Sequence, residues 1–296
     1  MPIKPTPLDT HAVRRAFDRA AGSYDEHAVL QHEVRTRLLE RLDYQQFDPF
    51  RVVDMGCGTG QGSRALKSRY PRAEVIALDW ATGMLRDARG EPRESAAAAL
   101  CADMQAMPLA SRSVDLVFSN LAAQWSPDPE RLFTEIRRVL RPGGLLLFST
   151  FGVDTLKELR AAWAEVDDDP HVSEFVDIQD LGDLLMALGY AEPVLDMEML
   201  TLDYPDVMAL MRDLKAIGAH NAVSGRRVRM TGKARLRRML DAYEQFRADD
   251  RYPSSWEVIY GAAFAPEEGQ PFRSGQGEVA EFSLDALRAS RVRRDG

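Results

Sequence analysis

The run Val52-Val53-Asp54-Met55-Gly56-Cys57-Gly58-Thr59-Gly60 constrains this chain more than any other segment. A β-branched apolar stretch leads into it, glycines fill alternate positions, and a helical pattern begins at Gln61. Glycines let backbone N–H groups approach a ligand closely, and the N-terminus of the following helix is a ready binding position. Alone, such a strand–turn–helix is explained equally well by a tight turn. Two acids strengthen the ligand reading. Asp79 ends the next apolar run about 20 residues on, where ribose hydroxyls are bound in open α/β sheets. Asp103 follows the third run beside Met104, where an adenine edge would lie. Asp54, Asp79 and Asp103 therefore close three successive strands at their carboxyl ends, where such sheets hold ligands. The dinucleotide fingerprint asks for a third glycine three residues after the second. From Gly58 that position is Gln61, and from Gly60 it is Ser63, so the spacing does not fit.

Around this core the apolar pattern alternates between short runs and helical periods. Strands are expected over 51–54, 74–78, 97–101, 114–119 and 145–150, with helices over 61–69, 82–89 and 129–139 between most of them. Short, nearly continuous apolar strands joined by helical crossovers imply a parallel sheet covered on both faces, with right-handed connections. The expected fold class is a doubly wound α/β sheet. Residues 10–42 carry a helical period, with Gly22 as an expected break. Arg141-Pro142-Gly143-Gly144 reads as a helix stop followed by a turn. Further on, helices are expected near 155–166, 177–188, 204–218 and 232–246, an edge strand over 194–202 and a last strand over 255–264. The expected organisation is a flexible start over 1–9 and one domain over 10–265. Within it lie a helical cap (10–47), a ligand-binding core (48–151) and a second half (152–265) with a lid at about 204–250. A Gly-, Glu- and Arg-rich tail from 266 to 296 is expected to be disordered, at least in part.

Composition narrows the function classes. The formal net charge of −8 over 296 residues argues against broad nucleic-acid binding. No apolar run approaches the ~20 residues of a membrane span, and residues 1–7 lack the apolar segment of a secretory signal. Cys57 and Cys101 have neither paired nor metal-ligand spacing, and the histidines His11, His27, His32 and His171 show no metal spacing either, so no metal is expected. A reduced cytoplasm is the default compartment. The charge is uneven, however. No acid lies between Asp213 and Asp241, while Lys215, Arg226, Arg227, Arg229, Lys233, Arg235, Arg237 and Arg238 all do. This stretch reads either as a solvated face or as a docking surface for an acidic partner. Nucleic acid ranks third, since no aromatic interleaving accompanies the charge.

Asp-x-Gly-x-Gly-x-Gly at 54–60, the acid Asp79, and Leu140-Arg141-Pro142-Gly143-Gly144 before a strand together resemble a class I S-adenosylmethionine-dependent methyltransferase. The resemblance implies that S-adenosylmethionine lies along Asp54, Gly56, Cys57, Gly58 and Gly60, its methionine part near Gly56 and Gly58. It puts ribose on Asp79, Trp80 and Met84 beside the adenine, and Asp103 on the adenine amino group with Met104 next to it. Asn120 would border the methyl group. Ordinary helix packing is the competing explanation for Trp80 and Met84, and a turn role for Asp103.

The segments outside the core are more selective. Phe17-Asp18-Arg19-Ala20-Ala21-Gly22-Ser23-Tyr24-Asp25, Ser119-Asn120-Leu121-Ala122-Ala123-Gln124-Trp125, and Thr155-Leu156-Lys157-Glu158-Leu159-Arg160 resemble malonyl-acyl-carrier-protein methyltransferases of biotin synthesis. Leu214-Lys215-Ala216-Ile217-Gly218-Ala219-His220-Asn221 and Ser255-Trp256-Glu257-Val258-Ile259-Tyr260-Gly261 continue the likeness. It implies a malonyl thioester acceptor, on acyl-carrier protein or coenzyme A, esterified at its free carboxylate. No catalytic base is expected, because that carboxylate is already ionised at neutral pH. Tyr24 is the candidate to cover the cofactor. Gln124, Trp125, Lys215, His220 and Asn221 are candidates to position the acceptor. Arg226, Arg227, Arg229, Lys233, Arg235 and Arg238 are candidates to dock the carrier. Alternatives are a family of arginine hydroxylases that assist complex I assembly, a non-catalytic module on the same scaffold, and a methyltransferase for another small acid or a quinone.

Overall fold

The computed structural model describes residues 8–45, 47–88, 97–219, 221, 223, 232–269, 272–274 and 277–279. Strands β1 (Arg51–Met55), β2 (Glu74–Asp79), β3 (Ala98–Cys101), β4 (Val114–Ser119), β5 (Leu140–Phe151), β6 (Ala191–Tyr204) and β7 (Tyr252–Phe264) form one sheet in the order β3-β2-β1-β4-β5-β7-β6. The first five run parallel, as the helical crossovers require, whereas β7 pairs antiparallel with both β5 and β6. The strand order reverses between β1 and β4, opening the crevice that such sheets use for ligands.

The parity of each strand divides its side chains between two cores. Val52, Leu116, Leu145 and Leu147 meet Leu30, Val34 and Leu38 of α2 (Val29–Glu40) and Leu66 of α3 (Gln61–Arg69) on one face. Val53, Met55, Val117 and Leu146 meet Leu132, Phe133, Ile136 and Val139 of the helix Pro129–Val139 on the other. That helix starts where its sequence dictates: Asp128 caps the N–H of Arg131 at 3.0 Å and Pro129 occupies the first turn.

Several expectations are corrected. Gly22 does not break α1, which runs unbroken over Thr10–His27; the chain turns at Ala28 instead. A single helix-interior glycine costs only about 1 kcal/mol against alanine, which the packing of Ala16, Ala20 and Ala21 overrides. Arg141–Gly144 does not precede a strand but lies inside β5, where the pairing with β4 shifts register between Val114 and Leu116 and Gly143 takes a φ of +70°. Within the tail expected to be disordered, β8 (Phe272–Ser274) and β9 (Gly277–Val279) form an antiparallel pair.

The remaining helices are α4 (Thr82–Ala88), α5 (Pro129–Val139), α6 (Lys157–Ala164), α7 (Ile178–Ala187), α8 (Val207–Ala216) and α9 (Lys233–Tyr243), and of these α6, α8 and α9 contribute to the wall beside the crevice. α6 is locked to β7 by Glu158, a buried carboxylate that accepts from the Ser255 N–H at 3.0 Å and from its hydroxyl. Glu257 likewise accepts from the Asp154 N–H at 2.7 Å. Buried acids survive when donors satisfy them, and here they hold the β5-to-α6 turn in place. No helix among the described residues is long and apolar enough to cross a membrane.

Candidate active site

The glycine run folds as a tight β1–α3 connection whose three glycines answer different demands. Gly56 has φ +71°, and a Cβ there would stand 2.3 Å from the Cβ of Ala122. Gly60, at φ +78°, packs against Ala88, whose Cα would lie 2.7 Å from an added Cβ. Gly58, at φ +53°, faces open space. The N–H groups of Gly56 and Cys57 both donate to the Leu78 carbonyl, at 2.8 and 3.0 Å, fixing the loop to β2.

Asp79 terminates β2 at 9% exposure. Its Oδ2 accepts from the Gly58 N–H at 3.0 Å and its Oδ1 from the Ala81 N–H at 2.8 Å. An ionised carboxylate offers about four acceptor positions, so capacity for a vicinal diol is left. Burial raises the Asp79 carboxyl from its ordinary 3.8 to about 6, against the opposing pull of those backbone donors. Asp54, at 2% exposure, is likewise raised to about 6 by burial, with the Ser63 hydroxyl at 2.6 Å and the Arg35 charge opposing. Burial, with Asp79 and Asp25 adding to it, pushes the Tyr24 hydroxyl upward as well.

Asp79 and Tyr24 border one cavity. Gly56, Gly58 and Asp79 form its floor, Trp80, Met84 and Met104 one side, and Tyr24 and Phe17 of α1 its cover. Asn120 and the left-handed Leu121 (φ +47°) stand at the β4 end. α1 is fastened over the cavity by Asp18, whose carboxylate accepts from the Gly83 N–H at 2.8 Å. Phe17 meets Trp125 edge-on, with ring centroids 5.2 Å apart. Apolar walls with a few convergent polar groups are the usual character of a small-molecule site.

Not every expected residue arrives there. Asp103 is exposed and accepts from the N–H of Gln105 at 2.8 Å, so the structure brings Ala102 and Met104 to the cavity and leaves Asp103 outside. Cys57, Asp54 and Gly60 support the loop rather than line this cavity. Asn120 lines it, but its amide donates to the Gln31 carbonyl at 3.0 Å and accepts from the Ser149 hydroxyl at 3.0 Å.

A second cavity opens from the first, sharing Gln124, Trp125, Phe151, Ala219 and Trp256 with it. Its far wall is apolar, built by Leu159, Phe175, Met211 and Leu214. Lys215 and Asn221 reach it as expected from the sequence, and no carboxylate among the described residues pairs with Lys215. Asn221 donates its amide to the Pro170 carbonyl. Gln124 is tied in place, donating to the Leu121 carbonyl at 2.7 Å and accepting from the Thr150 hydroxyl at 3.3 Å. His220, Arg226, Arg227 and Arg229 lie outside the described residues.

One further group in this wall has no signature along the chain. His171 stacks on Trp163 with ring centroids 3.7 Å apart, and its Nε2 lies 2.8 Å from Asp167. Asp167, Asp169 and His171 bring potential ligand atoms within 4.8 Å of one another. Arg235 already bonds both carboxylates and holds Asp167 below the usual acid range, although burial alone would raise it. The guanidinium occupies the charge that a cation would otherwise counter. Arg235 is therefore part of the cavity wall. Of the other docking candidates, Arg238 is exposed and donates to the Glu165 carbonyl at 2.9 Å, and Lys233 is exposed.

Comparison with known proteins settles the family. Residues 53–148 match the methyltransferase domain family. A malonyl-(acyl-carrier protein) O-methyltransferase of Gallionella capsiferriformans is 49% identical over 269 residues, covering 88% of this chain and 92% of that protein. Its counterpart in Halorhodospira halophila is 45% identical and covers 97% of both chains. The chain belongs to the malonyl-(acyl-carrier protein) O-methyltransferase family. The arginine hydroxylase alternative is not favoured by these relatives. Among solved structures, the YcgJ protein of Bacillus subtilis shares the fold with a TM-score of 0.57 at 17% identity, covering 80% of this chain and 99% of that one. Phosphoethanolamine N-methyltransferase 2 of Haemonchus contortus, solved with S-adenosyl-L-methionine, does so with a TM-score of 0.52 at 18% identity, covering 84% and 57%. For this member of the malonyl-(acyl-carrier protein) O-methyltransferase family, the fold and the two joined cavities are the frame within which substrates must be placed.

Proposed function

We propose that the chain transfers a methyl group from S-adenosylmethionine to the free carboxylate of a malonyl thioester, carried on acyl-carrier protein in the cytoplasm, giving the methyl ester. One observation carries this reading beyond family membership: the cavity lined by Asp79 shares a junction with a second cavity that has an apolar far wall and Lys215 at its edge. The donor fits the first because the Asp79 carboxylate retains acceptor capacity for two hydroxyls and Gly58 leaves open space above the loop.

When bound, the donor supplies a methyl group already activated by a positive sulfur. The protein has correspondingly little covalent chemistry to perform. A malonate-type carboxylate is ionised at pH 7 and needs no proton removed. Alignment and water exclusion are what remain. Tyr24 and Phe17 close the nucleoside cavity from above, and Trp80 and Met84 flank the base. Trp125 and Gln124, at the junction, set the direction from which the acceptor oxygen arrives. Lys215 and Asn221 orient the malonyl group, and the apolar wall of the second cavity accepts the thioester arm. Lys233 and Arg238, with Arg226, Arg227 and Arg229, attract the acidic carrier, an effect on association rate that salt would weaken.

Purified protein given labelled S-adenosylmethionine is expected to label malonyl-acyl-carrier protein with a base-labile methyl ester. Absence of label on any malonyl thioester, with the nucleoside product shown calorimetrically to bind, would overturn the acceptor assignment and leave the donor assignment standing.

The same reading fixes a pH dependence. Two ribose hydroxyls donate best to an ionised Asp79, because protonation turns one of its acceptor oxygens into a donor, and burial raises that carboxyl to about 6. Protonation therefore competes with the ligand, and affinity for S-adenosylhomocysteine should drop about tenfold between pH 7 and pH 5. The sign for the free fold is opposite. A carboxyl whose folded value exceeds its unfolded one binds protons more readily when folded, so Asp79 and Asp54 lend stability as pH falls through about 6 toward 3.8 and withdraw it as pH rises. Calorimetric titration at the two pH values checks the first statement; a flat affinity would remove the ionised carboxylate from the binding site.

A further inference from the structure

We propose that the indole N–H of Trp256 distinguishes the acceptor acid from its ester by donating to the carboxylate oxygen that does not attack, a role that rests on the acceptor assignment above.

Trp256 is one of the five residues that border both cavities. With the donor in the first cavity and the acceptor in the second, the methyl group crosses at that junction. Phe151 and Ala219 carry no side-chain donor there, and Gln124 spends its amide on the Leu121 carbonyl and the Thr150 hydroxyl. Two indoles remain. That of Trp125 is half-buried and meets Phe17 edge-on. Trp256 is only 4% exposed, and its Nε1 atom is buried with no hydrogen-bond partner among the described residues. A buried donor left unmatched is costly and uncommon. An indole can only donate, so what Trp256 lacks is an acceptor, and a carboxylate is a strong one.

The ring is also held in place. On one side of it the Ser255 N–H donates to Glu158 at 3.0 Å. On the other, the Glu257 N–H donates to the Thr155 hydroxyl at 3.2 Å, and its carbonyl accepts from the Gly152 N–H at 2.9 Å. Phe151 packs on the indole with ring centroids 5.2 Å apart. A donor fixed in this way loses little freedom when it binds.

The chemistry decides which oxygen it serves. Transfer forms a C–O bond from a lone pair of one carboxylate oxygen and breaks the S–C bond, whose electron pair stays on sulfur; no proton moves. A hydrogen bond to the attacking oxygen would draw on the electrons that form the new bond, whereas one to the other oxygen orients the group without that loss. After transfer the negative charge is gone, and the bond from Trp256 weakens from charge-assisted to neutral. The ester is then held less tightly than the acid. Periodicity along the chain places Trp256 in the last strand but does not mark its N–H as unspent.

The test uses protein saturated with S-adenosylhomocysteine and two probes, malonyl-acyl-carrier protein and its methyl ester, compared by titration calorimetry. Wild-type protein should bind the acid more tightly than the ester. In Trp256→Phe, which keeps a ring and removes the N–H, that preference should shrink by about tenfold. Affinity for S-adenosylhomocysteine should stay within about twofold. A packing role alone would weaken acid and ester equally. In ¹⁵N-tryptophan-labelled protein, the acid should move the Trp256 indole N–H resonance downfield and the ester should move it less. That measurement uses the unaltered residue and holds even if Trp256→Phe does not fold, the signal then being assigned by replacing Trp80, Trp125 and Trp163 in turn. An undiminished preference in Trp256→Phe, equal losses for both probes, or an indole resonance that the acid leaves in place would overturn the role of Trp256 alone. Failure of wild-type protein to bind or methylate any malonyl thioester would overturn the acceptor assignment, and this role with it.

Discussion

Asp79→Ala is expected to cost S-adenosylhomocysteine binding about 10²- to 10⁴-fold, because two hydroxyl-to-carboxylate bonds of roughly 1.5–3 kcal/mol each disappear together. The position leaves little room for compensation. Asp79 sits at the end of β2, is buried on all but its ligand side, and spends part of its capacity on the Gly58 and Ala81 N–H groups. Removing it therefore loosens the glycine loop as well as the sugar contact. Asp79→Asn separates the two. One amide oxygen can still hold a backbone N–H, while the amide nitrogen now donates where a hydroxyl also donates, so binding should fall nearly as far with less change in melting temperature. Calorimetry and thermal melting on both variants supply the comparison. An Asp79→Ala protein that loses less than threefold in affinity would place the nucleoside elsewhere.

Gly56→Ala should damage the fold itself. The added methyl meets Ala122 at 2.3 Å, in a backbone conformation that alanine rarely adopts. Left-handed strain costs about 1–3 kcal/mol, and overpacking a close-packed seam about 1–3 kcal/mol more. Since Gly56 follows β1 and Ala122 follows β4, the collision pries apart the strands that flank the crevice. The expected result is a clear drop in melting temperature and in nucleoside affinity together. Ala122→Gly in the same chain should restore part of the stability by removing the struck methyl while the φ strain persists. Gly58→Ala is the contrast: at φ +53° it carries the same left-handed strain, but its Cβ meets no protein atom, so its melting temperature should fall less than that of Gly56→Ala. If Gly56→Ala melts with the wild type, the close approach of the two loops is wrong.

The parts of this molecule that read clearly from sequence are those written in local patterns. The glycine run, the acid at Asp79 and the capped helix after Asp128 all depend on neighbours within a few residues, and β1, α3, β4 and α5 lie where periodicity places them. Asp103 shows the limit of that reasoning. A position just beyond a strand does not fix the direction of the side chain, and beyond the edge strand β3 it turns out to cap Gln105. Gly22 shows another limit, since helix propensity is a small term beside the packing of α1 on α4. The acceptor side is harder still. Trp125 and Trp256, far apart along the chain, border one cavity because β7 returns antiparallel between β5 and β6. No spacing along the chain encodes that return, and none shows that Arg235, in a stretch that reads as a solvated face or a docking surface, is bonded by Asp167 and Asp169.

The reversal of strand order between β1 and β4 has a consequence for how such a protein can change over time. The first cavity is lined mainly by residues that follow β1, β2, β3 and β4, with Phe17, Tyr24 and Gln31 from α1 and α2, whereas the second is lined mostly by the chain after β5. The two sets touch only along one seam, at Gln124, Trp125, Phe151, Ala219 and Trp256. Mutations can accumulate in the later segment, reshaping what is accepted, without eroding the ability to hold the reagent. Grafting that segment between relatives is thus the natural unit of exchange for redirecting specificity, with those five positions as the junction that must be kept compatible.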